Sequence, residues 1–124
     1  MAAPNIVNVS NILGKTNVVD LTTTNATSVV SNAASSGKVL KVNTLIVSNV
    51  DGNSPYDITI NLYSQAAAGG TGTQIASTIS VPADATLVVI DKSTCIYLEE
   101  DKSIGAIASS ASKLKVVCSY EEIS

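Results

Sequence analysis

Three adjacent carboxylates, Glu99, Glu100 and Asp101, form the densest cluster of chemically capable side chains in the sequence. Such residues serve acid–base catalysis or bind a hard cation. A catalytic pair needs opposed carboxyl groups about 5–10 Å apart across a cleft, and a Ca²⁺ site needs about six to eight oxygens, usually with a glycine at the turn. Adjacent residues of one turn provide neither arrangement. Because strand-like residues flank this run, we predict that Glu99 to Lys102 form an exposed turn between two strands, with a cation site as the alternative.

Two further motifs invite a functional interpretation. Gly14-Lys15-Thr16 matches the end of a phosphate-binding loop, but Val9 stands where that motif requires glycine. Asp51-Gly52-Asn53 and Asp57 could coordinate Ca²⁺, but Pro55 interrupts the spacing, which favours a hairpin turn.

The chain contains no histidine, which excludes Ser-His and Cys-His catalysis within it. A Ser–Lys dyad stays open without a local signature. We therefore predict no enzymatic activity, no cofactor, no metal and no small-molecule substrate.

Composition predicts a folded, soluble domain. The sequence is 45% hydrophobic and 14% charged, which argues against disorder. All seven basic residues are lysines and the net charge is −3, so nucleic acid is not an expected partner. The first residues do not predict a signal peptide, and no run approaches the ~18 apolar residues expected of a membrane span. Cys95 and Cys118 lie in apolar runs, which favours buried free thiols over a disulfide.

The elements that position these side chains are predicted to be strands, because apolar and polar residues alternate with period two. In 57–64, Ile58, Ile60 and Leu62 point one way and their neighbours the other. In the last strand Leu114, Val116, Cys118 and Tyr120 share a face. Further strands are predicted at 18–21, 28–31, 39–50 with a bulge near Asn43, 75–81 with Ile75, Ser77, Ile79 and Val81 on one face, 86–90, 95–98 and 103–109.

These strands predict an all-β, antiparallel sandwich of the jelly-roll or Greek-key type with about eight strands. Residues 86–90 are apolar on both faces, which indicates a central strand. Turns are predicted at 51–55, 82–85 and 109–112, and 65–73 is predicted to be a flexible loop. Of the four tyrosines, Tyr97 and Tyr120 are expected to pack rather than to bind sugars.

The first residues lack the turn spacing of the rest. We therefore divide the chain into an extended N-terminal arm, 1–16, and a sandwich domain, 17–124. The apolar residues of the arm could add a strand to a neighbour's sheet. The predicted contact segments are 4–16 and the loop 65–73, and the predicted contact residues are Ile6, Val7, Val9, Ile12 and Leu13.

Four stretches carry a resemblance to a known class of protein. They are SSGKVLKVNTLIVSNVDG (35–52), DITINLY (57–63), ISVPADATLVVIDK (79–92) and IYLEEDKSIGAIASSASKLKVVCSYEEIS (96–124). Over these stretches the chain resembles the small all-β virion structural proteins of tailed marine bacteriophages. Residues 1–34 fit that pattern less well, and its motifs mark strands and turns rather than reactive groups.

The resemblance implies a non-enzymatic virion structural protein, most directly a capsid decoration protein that binds the outside of the assembled head. Its expected partners are the major capsid protein and copies of itself, as a trimer. The expected location is the virion, assembled in the host cytoplasm. The alternatives are a neck, tail or fibre component, or a carbohydrate-binding sandwich module.

Overall fold

The computed structural model describes residues 11–124, which form nine strands in two antiparallel sheets. The strands are β1 (Ile12–Asp20), β2 (Thr27–Asn32), β3 (Val39–Asn49), β4 (Tyr56–Gln65), β5 (Gly69–Val81), β6 (Thr86–Ile90), β7 (Ile96–Leu98), β8 (Lys102–Ala108) and β9 (Leu114–Ile123). A short 3₁₀ helix, Lys92–Thr94, separates β6 from β7.

The strand order is that of a jelly roll. One sheet runs β1-β9-β3-β6 and the other β2-β8-β4-β5. Strand β7 pairs with residues 40–42 of β3 and β6 with residues 45–48, so the two short strands follow each other along one side of β3. Nine segments therefore occupy eight strand positions, and the predicted antiparallel sandwich is confirmed.

The core lies between the sheets and is almost wholly aliphatic, as the alternating pattern predicts. Ile58 and Ile60 from one sheet are fully buried, as are Val116 and Cys118 from the other. The pairing of β3 with β9 shifts by one residue between Val42 and Thr44, which confirms the bulge expected near Asn43.

Two predictions about strand placement are wrong. Strand β6 lies at the edge of its sheet, and Val88 is 57% exposed, because an apolar side chain does not require a buried position. In β5, Ala76 and Val81 are buried whereas Ile75 is exposed. Irregular pairing between β4 and β5 breaks the simple alternation expected for 75–81.

The prediction of a flexible loop at 65–73 is also wrong, because most of this segment belongs to an ordered hairpin. Residues 69–73 begin β5, and the turn 66–68 folds over the neighbouring strands. The backbone N–H groups of Ala66, Ala67 and Ala68 donate to side chains of Asp101, Ser31 and Ser103 at 2.8–3.0 Å. The sequence of small residues indicated mobility, but these bonds fix the turn.

Two buried asparagines link the sheets to each other and to the loops. Asn49 of β3 donates to the carbonyl oxygens of Val81 and Ser54, both at 2.9 Å. At the opposite end of the sandwich, Asn32 of β2 donates to Leu98 at 3.0 Å and to Lys38 at 2.9 Å. Each amide therefore satisfies backbone groups that the strand pairing leaves open.

Candidate assembly edge

Strand β1 forms one edge of its sheet, and its apolar side chains, taken together, are more exposed than those of the other strands in that sheet. It pairs with β9 without interruption from Ile12↔Ile123 to Asp20↔Lys115. Ile12, Leu13 and Val18 are 55%, 47% and 67% exposed. Residues 12–16 of the predicted arm thus belong to the sheet of this chain, because their pairing with β9 continues that of 17–20.

The hydrogen bonds at the ends of β1 reveal which backbone groups face outward. Asn11 and Ser124 exchange both N–H···O bonds, at 3.0 and 2.9 Å, and the N–H of Leu21 donates to Leu114 at 3.1 Å. In an antiparallel pair, residues alternate between bonding the neighbour and facing away. Odd-numbered residues of β1 therefore bond to β9. Ile12, Gly14, Thr16 and Val18 direct their N–H and C=O groups to the free edge, the side of β1 that no strand within residues 11–124 occupies.

The other sheet edges of the described chain carry features that hinder strand addition. Strand β5 has irregular pairing at three places, and Thr78 has a φ of 49°. Strand β2 is bulged between Ser28 and Val30, and Asn17 donates across to its Val29 carbonyl at 3.1 Å. Strand β6 spans five residues before the 3₁₀ helix begins. Within residues 11–124, β1 is the one long edge with regular pairing.

The charged side chains on β1 are paired within the chain. Lys15 Nζ lies 2.8 Å from Glu122 Oε2, and Lys38 Nζ lies 2.7 Å from Glu122 Oε1. The bond from Lys15, and then that from Lys38, lowers the pKa of Glu122, whose bond in turn raises the pKa of Lys15. Lys115 contacts Asp20 at 2.8 Å. Both partners lie on β9, so these contacts turn the charges of Lys15 and Asp20 toward β9 instead of the free edge.

The Glu122 pairs predict a pH dependence of stability. Because folding lowers this carboxyl pKa, its contribution is present above the ordinary carboxyl range and is lost as the pH falls through the folded-state pKa. We expect Glu122→Gln to lose less stability than the wild type between neutral pH and about pH 3. Urea unfolding at both pH values measures this. Glu121→Gln is the control, and an equal change in both variants would contradict the assignment.

The acidic run 99–101 is a turn between β7 and β8, as predicted, but Lys102 already belongs to β8. Glu100 accepts a bond from the Gly37 N–H at 3.3 Å, and Asp101 accepts one from the Ala66 N–H at 3.0 Å. Both carboxylates thus hold the backbone of neighbouring loops, and Glu99 is exposed.

The second acidic candidate is also a loop contact. Asp51 accepts bonds from the Asn53 N–H at 2.8 Å and the Tyr56 hydroxyl at 3.0 Å, and it lies 3.3 Å from Lys113 Nζ. These bonds, the first of them foremost, lower the pKa of Asp51. No three His, Cys, Asp or Glu side chains converge on a metal-binding position anywhere in 11–124.

The predicted contact residues divide into two groups. Ile12 and Leu13 lie on the exposed edge strand, and Gly14-Lys15-Thr16 continue that strand rather than a phosphate-binding loop. Ile6, Val7 and Val9 lie outside the described residues. The sequence pattern indicated strand addition, but the direction of each backbone group on β1 became visible only from its pairing with β9.

A surface pocket at the β4–β5 hairpin has a volume of about 240 Å³. Leu62, Thr73 and Lys102 are among the residues that line it. Small-molecule sites usually occupy about 300–1,000 Å³ and gather several polar groups.

Two tyrosines were predicted to pack. Tyr97 is 47% exposed, contrary to that prediction, whereas Tyr120 is buried as expected.

The two cysteines are free thiols in different surroundings. Cys118 is fully buried in the core, and this burial raises its pKa to about 12. Cys95 is only partly buried. The predicted free thiols are confirmed, with partial exposure of Cys95 as the difference.

We expect a thiol reagent to modify Cys95 rapidly in the native protein and Cys118 only after unfolding, since the reactive species is the thiolate. Mass spectrometry of the labelled peptides measures this, and Cys95→Ser is the control. Rapid native labelling of Cys118 would contradict its burial.

Comparison with known proteins gives a fold-level relationship. No protein-family model matches the chain, and no curated protein does. A solved structure of Bacillus endospore appendages, which form a family of disulfide-linked pili, has a similar fold with a TM-score of 0.51. The two sequences are 17% identical, and the match covers 91% of this chain and 88% of the appendage chain. Among the described residues, no helix has the length and apolar character needed to cross a membrane.

Proposed function

We propose that this chain is a non-enzymatic structural subunit of a phage particle, and most directly a capsid decoration protein. The observation that carries the proposal is the open edge of β1, which combines exposed apolar side chains with outward backbone groups. Such an edge can add a strand from a neighbouring subunit. The endospore appendage forms pili, which supports a role for this fold in repeated assemblies.

In this proposal the protein binds only the assembled shell. A ligand that binds one state selectively stabilises it by RT ln(1 + [L]/Kd) per site. Repetition over many sites would raise the stability of the whole head. The partners are the major capsid protein and further copies of this chain, and the virion is the location. The resemblance of 35–52, 57–63, 79–92 and 96–124 to phage virion proteins supports this choice over other assemblies.

Immunogold electron microscopy of phage particles from the source lysate tests the proposal. Label over the whole head is the expected result. Label confined to the neck, tail or fibres would keep the virion role and overturn the decoration role. No label on any particle, with an antibody shown to bind the native protein, would overturn both.

A proline substitution separates assembly from folding. The Thr16 N–H faces the free edge, so Thr16→Pro keeps the pairing with β9 while removing an outward donor and obstructing strand addition. We expect binding to heads to weaken by about fivefold or more, since each lost backbone bond is worth ~1 kcal/mol. Co-sedimentation with heads measures binding, and thermal unfolding is expected to change little.

Asn17→Pro is the matched variant. The Asn17 N–H faces β9, so this substitution is expected to lower the melting temperature clearly. Equal head binding by Thr16→Pro and the wild type would contradict the role of the β1 edge.

A further inference from the structure

We propose that β1 pairs with β1 of a second copy, antiparallel about a two-fold axis at Thr16. This deepens the proposed function by naming the occupant of the open edge, and it rests on that function for its biological setting. The geometry is argued from the residues of β1 alone.

Hydrogen-bond direction restricts the possible registers. Only even-numbered residues of β1 direct backbone groups outward, so an even-numbered residue must face an even-numbered residue of the partner. Thr16 is the midpoint of Ile12–Asp20, and centring the axis there pairs all nine residues of the strand. Gly14 then faces Val18, and Ile12 faces Asp20.

Charge and shape favour this register. Centring at Lys15 would place two lysines directly opposite each other, which is unfavourable. At the Thr16 centre, Lys15 faces Asn17 instead, and exposed Leu13 faces Val19 as an apolar cross-strand pair.

Gly14 supplies a further argument for a second copy. A Cβ added at Gly14 would meet no atom of residues 11–124 within 4 Å, so packing within this described part of the chain gives no reason for glycine. Glycine within a strand costs about 0.5–1 kcal/mol relative to alanine. In the proposed pair Gly14 lies opposite Val18, the most exposed of the large apolar side chains of β1, and leaves room for its methyl groups.

In each copy, one sheet runs β1-β9-β3-β6. Pairing between the two β1 strands joins the sheets of the two copies into one continuous sheet. It joins copies two at a time, so the free chain is expected to form a dimer at high concentration. The trimer expected from the phage resemblance would require a different surface. Light scattering after size-exclusion chromatography distinguishes a dimer from a trimer.

Cysteine cross-linking in a Cys95→Ser background tests the register. Opposed Thr16 residues would have Cα atoms about 5.5 Å apart, within reach of a disulfide. Two copies of residue 18 would be offset by about 14 Å. We expect Thr16→Cys to form covalent dimers on mild oxidation, Val18→Cys alone to form at least about tenfold fewer, and a mixture of Gly14→Cys with Val18→Cys to restore them.

Equal cross-linking by Thr16→Cys and Val18→Cys, or none by any variant, would overturn the proposed pair. A monomer or a trimer by light scattering at high concentration would overturn it as well. Label over the phage head together with either result would leave the decoration role standing, so the two proposals fail separately.

Discussion

Replacing Gly105 with valine is expected to lower the free energy of unfolding by about 3 kcal/mol, because overpacking a tight site forces its neighbours to move. A Cβ at this position would lie 2.7 Å from Cε2 of Tyr63 and 3.1 Å from the carbonyl oxygen of Thr27. The opposite edge of the same ring contacts Gly72, where an added Cβ would lie 2.9 Å from Cε1. The tyrosine ring therefore fits between two glycines on neighbouring strands.

Gly14→Val is the matched control for Gly105→Val. Both glycines lie in strands, but only Gly105 has atoms within 4 Å of an added Cβ. Urea unfolding of dilute protein measures both variants. A loss of stability at Gly14 as large as that at Gly105 would contradict the packing explanation.

Removal of the Asn49 side chain is expected to cause the second large loss of stability. Asn49→Ala leaves the carbonyls of Val81 and Ser54 without their side-chain donor, and it removes the acceptor of the Asp51 N–H at 2.9 Å. An unsatisfied buried polar group costs about 1–3 kcal/mol, so we expect a total loss of ~2–4 kcal/mol.

Asn53→Ala is the control for Asn49→Ala, because Asn53 is an exposed residue of the loop that follows Asn49. Its expected change is within about 0.5 kcal/mol. Denaturant unfolding followed by circular dichroism measures both. A small effect at Asn49 would show that water replaces the amide and that the link between the sheets is weak.

The sequence predicts the sandwich well where side chains alternate without interruption. The faces of 57–64 and 114–120 follow directly from Ile58, Ile60, Val116 and Cys118, because a strand exposes alternate residues to opposite sides. The bulge near Asn43 was also predictable, since the apolar residues of 39–50 change phase there.

Burial on the outer faces was not predictable from the same pattern. Tyr63 was assigned to the face opposite Ile58 and Ile60, yet it is only 7% exposed. Its ring lies against Gly72 and Gly105 on the two neighbouring strands, and the alternating pattern of 57–64 does not report such contacts. The roles of Asn32 and Asn49 likewise depend on carbonyl groups from the other sheet.

The candidate site was predictable in part. Exposed apolar residues near the N-terminus, including Ile12 and Leu13, indicated strand addition from sequence. The predicted boundary between the arm and the sandwich domain, after residue 16, does not coincide with a turn, because β1 continues through it to Asp20. The outward direction of Thr16 and Val18 depends on the pairing partner, which the sequence does not specify.

Amide hydrogen exchange of ¹⁵N-labelled protein tests the central claim most directly. In dilute monomer we expect the amides of Gly14, Thr16 and Val18 to exchange rapidly and those of Lys15, Asn17 and Val19 to be protected by β9. In concentrated, associated protein both sets should become protected. Even-numbered amides that are already protected in the monomer, or that still exchange rapidly after association, would contradict an assembly role for the β1 edge.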